Sequence, residues 1–214
     1  MIMSQSEIQA KEFIELIRTR RSIRRYENQI VPHDLIDKIL DAARWAPSSH
    51  NRQPWRFAVV EGDETKRALA AAMGERLRAD LERDGAPREF IDKDTTRSYQ
   101  RITSAPVVII ACATLRDMDQ YPDARRSRAE NLMATQSVAM AVQNLLLAAH
   151  ALGLGACWMC APLFVPDTVR EILKLEADWE PQALITLGYP AEEKTRTRVS
   201  LGKSARYLDT DERG

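Results

Sequence analysis

The amino-acid sequence predicts an α+β fold in which a small mixed β-sheet is wrapped by helices. Stretches with helical spacing of apolar residues dominate the chain, and the strand-like runs are short and separated from one another by helices. One long helix is apolar nearly all round, which requires cover on every side. With 214 residues, the chain suits a single domain over 1–214 that carries a charged extension from about 191 to 214.

The first element is a short amphipathic helix over Ser6 to Arg18, with Ile8, Phe13, Ile14 and Ile17 at roughly helical spacing. The stretch Thr19 to Tyr26 is too basic and too short for a core strand or a helix. Pro32 opens a second helix whose apolar face is Leu35, Ile36, Ile39, Leu40 and Ala43. It stops at Ala46-Pro47, because the residue before proline is pushed out of the helical region. A polar loop bounded by prolines, Pro47 to Pro54, leads into a strand from Trp55 to Val60. Two charged helices follow, about Glu64 to Arg83 and Pro87 to Arg101, then a buried-type strand from Val107 to Cys112.

The apolar helix runs from about Ser127 to Leu152, and Met133, Ala134, Val138, Met140, Val142 and Leu145 to Leu147 leave it almost no polar face. Roughly 26 residues at about 1.5 Å each cannot be fully buried by a chain of this size alone. This helix is therefore expected to be the spine of a homodimer. Gly153 and Gly155 end it. A strand (Ala156 to Met159), a helix (Val165 to Leu173) and a last strand (Ala183 to Gly188) complete the core.

Charge and cysteine content narrow the functional classes. Lys plus Arg (31) equals Asp plus Glu (31), which argues against a general nucleic-acid or membrane-surface binder. The opening Met1-Ile2-Met3-Ser4 shows no basic stretch followed by an apolar one, and three cysteines make no disulfide framework, so a cytoplasmic location is expected. Gln143, Asn144 and His150 interrupt the longest apolar run, so it is not read as a membrane span.

Several clusters could carry chemistry. In Arg20-Arg21-Ser22-Ile23-Arg24-Arg25, arginine forks and a serine hydroxyl match phosphate oxygens, though a solvated basic turn has the same composition. A second cluster, Arg125 to Arg128, precedes the long helix, where an anion could meet the helix N-terminus. The loop Pro47-Ser48-Ser49-His50-Asn51-Arg52-Gln53-Pro54 gathers short donors and acceptors that suit a ring with several in-plane hydrogen bonds, or an ordinary capped turn. Cys157-Trp158-Met159-Cys160 is a C-x-x-C, but only Cys112 remains as a further cysteine and the three histidines are scattered. Gly153-Leu154-Gly155 lacks the third glycine of a dinucleotide fingerprint and follows a helix. With no metal cage and no conventional nucleophile, a bound cofactor is expected to hold the chemistry.

In their order and spacing, R-R-S-I-R-R-Y (20–26), W-A-P-S-S-H-N-R-Q-P-W-R-F (45–57), the long apolar helix and G-L-G-A-C-W-M (153–159) resemble the nitroreductase family of FMN enzymes. The resemblance runs from about Glu12 to Tyr207 and implies a nitroreductase-like fold with the long helix at a homodimer interface. It implies that Arg20, Ser22 and Arg24, with Arg21 through its backbone or side chain, hold the flavin phosphate and the polar edge of the ring. Pro47, Ser48, Ser49, Asn51 and Gln53 would come from the other subunit, Cys157, Trp158 and Met159 would lie along the flavin, and Lys203 and Arg206 would complete phosphate binding.

No side chain is catalytic on this reading. FMN N5 carries the hydride in a ping-pong exchange from NADH or NADPH to a small acceptor of nitroaromatic, quinone or enone type. Two stretches, G-L-G-A-C-W-M-C-A-P-L-F (153–164) and D-W-E-P-Q-A-L-I-T-L-G-Y-P-A (178–191), also resemble the flavin domain of the bifunctional protein of coenzyme F420 biosynthesis. That domain reduces a dehydro deazaflavin precursor; here no glutamate-ligase domain accompanies it, and a relative with another substrate fits equally. A non-catalytic flavin-binding dimer module is the alternative of another class. Whether 64–101 forms a lid is left to the structure.

Overall fold

The computed structural model describes residues 4–208; Met1 to Met3 and the end of the charged extension, 209–214, lie outside the described residues. The sheet is built around two strands that have no solvent-facing side. In β2 (Val107–Ala113) every residue is buried, and in β4 (Glu180–Gly188) every residue but the first. Their apolar side chains alternate between two cores. Val107, Ile109, Ala111, Ile185 and Leu187 face one core, while Val108, Ile110, Cys112 and Leu184 face the other. This double burial explains why both strands read as continuous apolar runs.

β1 (Trp55–Val60) pairs with β2, and β3 (Gly155–Met159) with β4, giving the four-stranded order β1-β2-β4-β3. These pairings are antiparallel, and an isolated parallel bridge joins Ser22 to Ala156 at the outer side of β3.

Helices cover both faces. On one lie α2 (His33–Arg44), with Ile36, Ile39 and Ala43 buried, and α5 (Ala124–Ala151). On the other lie α3 (Asp63–Arg83), α4 (Arg88–Thr103) and α6 (Pro166–Leu173), which bury Leu69, Met73, Ile102 and Val169. Within 64–101, Leu69, Ala70 and Met73 of α3 are built into the second core, and Ile91 and Thr95 of α4 are buried as well, so the stretch is not a detached lid. Each fully buried Leu or Ile contributes about 1.5–3 kcal/mol.

Within one chain α5 is buried along one stripe only. Ala134, Ser137, Val138, Ala141, Val142 and Leu145 are covered, but Leu132 (56% exposed) and Met140 (40% exposed) face outward. By composition α5 is long and apolar enough to cross a membrane, yet its covered stripe packs on the sheet as a core helix does. Gly153, at φ 77°, ends it, and the Leu154 amide reaches back to the Ala149 carbonyl at 2.8 Å.

The first helix, α1 (Gln5–Thr19), begins with a capping box between Ser4 and Glu7 but buries none of its residues. Ile8, Phe13, Ile14 and Ile17, which give the helix its amphipathic spacing in the sequence, are all exposed. From 191 to 208 the chain forms no strand or α-helix and is mostly exposed, with Val199, Leu201, Tyr207 and Leu208 in solvent. Both terminal segments thus present apolar side chains that the other described residues do not cover.

Candidate functional site

The basic segment is held as an added edge of the sheet. After α1 ends, the Ile23 amide donates to the Ala156 carbonyl at 3.1 Å and the Glu27 amide to the Tyr189 carbonyl at 2.9 Å. The Tyr26 hydroxyl lies 2.6 Å from the Ile23 carbonyl, to which it donates, and 2.7 Å from Thr186 Oγ1. Burial is the main reason that this phenol is pushed well above its ordinary pKa. Ile23 turns inward over Gly155, and Ser22 and Arg24 flank it.

Arg20, Arg21, Thr19, His150, Gly153 and Glu192 are among the walls of a cavity of about 620 Å³ at the C-terminal end of α5. Arg20 Nη1, Arg21 Nε and Arg24 Nε are buried atoms with no hydrogen-bond partner among the described residues. Burial, then the neighbouring Arg198 and Arg21 guanidinium groups, hold Arg20 below the usual arginine range. Desolvated donors crowded by like charges are unfavourable until an anion is present, so the segment fits a phosphate-bearing ligand. Its residues therefore match what an FMN phosphate requires.

Some positions here were not legible in the sequence. Glu192 Oε1 accepts from the Arg24 amide and pairs with Lys194 Nζ, each at 2.6 Å, and Lys194 also reaches the Ser22 carbonyl at 3.3 Å. Burial pushes the Glu192 carboxyl up, but Lys194 and the Arg24 amide outweigh it and the group sits below its ordinary value. Arg101 of α4 is a further cation beside Arg24. Burial, then Arg97 and Arg24, hold it below the arginine range. His150 bonds Thr19 Oγ1 through Nε2 at 3.0 Å, and burial followed by Arg20 and Arg21 keeps it below its ordinary value. An E-x-K after a strand, or one arginine in a charged helix, carries no signal without the fold.

Cys157 is buried in β3, next to the charges of Arg24, Arg101 and Lys194. Burial raises its thiol pKa, and those cations do not reverse the shift. A raised thiol is the opposite of what a redox nucleophile needs. Trp158, half-buried, donates its indole N–H to Cys160 Sγ at 3.1 Å, and Met159 packs toward the second core.

The loop 47–54 is a separate construction. Its 3-10 turn, Ser49–Asn51, is fixed by Gln53 N to Ser48 Oγ at 3.0 Å and Ser49 N to Ser137 Oγ at 3.3 Å. His50, Asn51 and Gln53 all have positive φ (49°, 54° and 50°), a conformation that costs non-glycine residues about 1 kcal/mol or more each. Pro47, Asn51 and Gln53 are exposed, and Ser48 and Ser49 half-buried. This loop seats on α5 at Met133 and Ser137, whereas the arginine cavity includes His150. Thirteen helical residues separate Ser137 from His150, about 20 Å of axis. One chain therefore does not join the loop to its own arginine segment.

Two expected features are placed elsewhere. Lys203 and Arg206 are exposed and are not among the walls of the cavity; the tail cation that acts on Arg20 is Arg198. The Arg125 to Arg128 cluster does not leave its helix N-terminus free for an anion. The Asp123 carboxylate caps it, accepting from the Arg126 amide at 3.0 Å and pairing with the Arg126 side chain.

A sequence profile of the Nitroreductase family matches residues 17–189. A Thermus thermophilus protein named NADH dehydrogenase is 38% identical over 185 residues, covering 81% of this chain and 84% of that protein. A Methanothermobacter thermautotrophicus protein, provisionally named NADH dehydrogenase/NAD(P)H nitroreductase, is 36% identical over 187 residues, with 85% and 78% covered. Among solved structures, a provisionally named nitroreductase from Desulfovibrio desulfuricans in complex with FMN superposes with a TM-score of 0.71 at 28% identity, over 93% of this chain and 98% of that one. A BluB-like flavoprotein from Clostridium difficile shares the fold at a TM-score of 0.76 and 23% identity, over 92% and 98%. The antiparallel sheet, the arginine edge strand and the apolar helix thus occur together in a chain that belongs to the nitroreductase family.

Proposed function

We propose that the chain is an FMN-dependent oxidoreductase that works as a cytoplasmic homodimer, passing reducing equivalents from NADH or NADPH to a small organic acceptor of nitroaromatic, quinone or enone type. The observation that carries this reading is the set of buried, unpartnered guanidinium atoms of Arg20, Arg21 and Arg24. The FMN complex of the Desulfovibrio relative supports the cofactor, and the names of the curated relatives support the nicotinamide donor. When bound, FMN supplies hydride acceptance and donation.

The chain's own residues bind and orient. Arg20, Arg21 and Ser22 supply donors for the phosphate, with Lys203 and Arg206 of the tail as further candidates. Arg24, beside Arg101, offers fixed positive charge to the polar edge of the ring, where a flavin gains negative charge on reduction. Cys157, Trp158 and Met159 form the adjacent strand end, where a flat ring has backbone to lie against. No metal ligand set enters this scheme.

A second copy completes the pocket. Packing α5 against its copy in antiparallel sense covers Leu132 and Met140 and carries Pro47, Ser48, Ser49, Asn51 and Gln53 across the 20 Å that one chain leaves open. The exposed apolar side chains of α1 and of the tail are then available to wrap the partner.

Steady-state kinetics test the reading. With NADH or NADPH as donor and a soluble quinone as acceptor, double-reciprocal lines at varied donor are expected to stay parallel, since one site serves both substrates in turn. Intersecting lines would contradict a shared site, and a flavin-bound protein without turnover would favour the non-catalytic module.

A further inference from the structure

A second cavity, of about 320 Å³, lies at the opposite end of α5 from the arginine cavity. Its walls come from the loop between β2 and α5 (Leu115, Met118, Asp119, Tyr121) and from the start of the helix (Glu130, Asn131). Glu130 is 5% exposed, and its Oε2 atom has no hydrogen-bond partner among the described residues. A buried carboxylate without a partner costs several kcal/mol as an anion, a cost that a bound cation would offset.

Three nearby cations are engaged elsewhere, and Arg125 and Arg128 are exposed. Arg126, four residues before Glu130, pairs with Asp123 and stacks on the Tyr121 ring at 4.7 Å. Arg52 pairs with Asp119 at 2.6 Å and Arg116 with Asp178 at 2.9 Å. The face of α5 left for a second copy is also not the face that carries Glu130. Glu130, Ala134, Ser137 and Ala141 form one buried stripe, while Leu132, Ala139, Met140 and Gln143 lie exposed on the other side of the helix. Glu130 thus shares the face turned into its own chain, away from the apolar face left for a partner.

We infer that this cavity is a binding site for a small organic cation, an ammonium or guanidinium group on a short apolar stem. Glu130 supplies the charge, Leu115 and Met118 the apolar wall, and Tyr121 an aromatic surface that already accepts one cation. With Asp119 paired to Arg52, Glu130 is the one carboxylate of the walls without an ion pair among the described residues, whereas calcium cages draw on several carboxylates.

The test is titration of the purified protein, labelled with 13C at its methionine methyls, with n-butylammonium chloride. The Met118 methyl, identified with Met118→Leu, is the reporter. A saturable shift is expected, at least tenfold weaker with neutral n-butanol and at least tenfold weaker in Glu130→Gln; the remaining methionine signals show that this variant is folded. Equal binding of butanol, an unchanged Glu130→Gln affinity, or no saturable shift up to about 100 mM would overturn the site. So would displacement of butylammonium by calcium at equal concentration, or dissociation of a dimer by Glu130→Gln, since either assigns the carboxylate to another partner.

Discussion

Ile23 lies so close over Gly155 that a Cβ on the glycine would stand 2.8 Å from Ile23 Cβ and Cγ2. The contact sets the distance between the arginine segment and β3, and only a residue without a side chain permits it. Gly155→Ala is expected to cost about 1–3 kcal/mol through overpacking, and to push Ser22 and Arg24 outward. Chemical denaturation and FMN titration check this together. A variant with unchanged stability and unchanged FMN affinity would show that the approach has no role in the site.

Arg24→Ala separates the needs of the empty and the loaded protein. It removes a buried cationic atom that has no partner, so the apoprotein should keep or gain thermal stability. FMN affinity should fall about 10- to 100-fold, as a charge-assisted hydrogen bond is worth about 1.5–3 kcal/mol. Melting curves with and without FMN measure both. An apoprotein that loses stability while FMN affinity holds would reverse the assignment.

The seam on α5 carries its own prediction. Leu132→Asp with Met140→Asp places charges on the face that is expected to meet a copy. Sedimentation should show monomers, and FMN binding should weaken with dimer loss because loop 47–54 no longer reaches the partner's arginine segment. Monomers that keep full FMN affinity would refute the shared site.

His150 predicts a pH effect. Burial, Arg20 and Arg21 lower its pKa in the folded state, so the unfolded chain binds the proton more readily. The stability associated with neutral His150 is complete above about pH 6.5, its unfolded value, and is lost as pH falls below it toward the lower folded pKa. An anion in the cavity offsets the arginine charges, so inorganic phosphate should raise the His150 midpoint in an NMR titration. A midpoint that phosphate does not move would place the anion elsewhere.

Legibility in the sequence followed locality. β2 was readable because burial on both faces leaves an unbroken apolar run, and the start of α6 because Pro166 sits at its first turn. The arginine segment was readable because Arg20 to Tyr26 is a compact motif. Glu192, Lys194 and Arg101 were not, since each comes to the segment around Ser22 and Arg24 only once β3, β4 and α4 have been brought together. The apolar face of α1 was read as a pattern, but no described residue of the chain buries it, and periodicity alone does not say what does. Glu130 is not singled out in the sequence, and only the fold reveals its burial.

The most direct test of the central claim is the visible absorption spectrum of the purified protein, reconstituted with FMN and recorded without oxygen before and after NADH or NADPH is added. A bound-flavin spectrum that bleaches on addition is the predicted result. A protein that takes up no FMN, or a bound flavin that neither nicotinamide bleaches, would contradict the account.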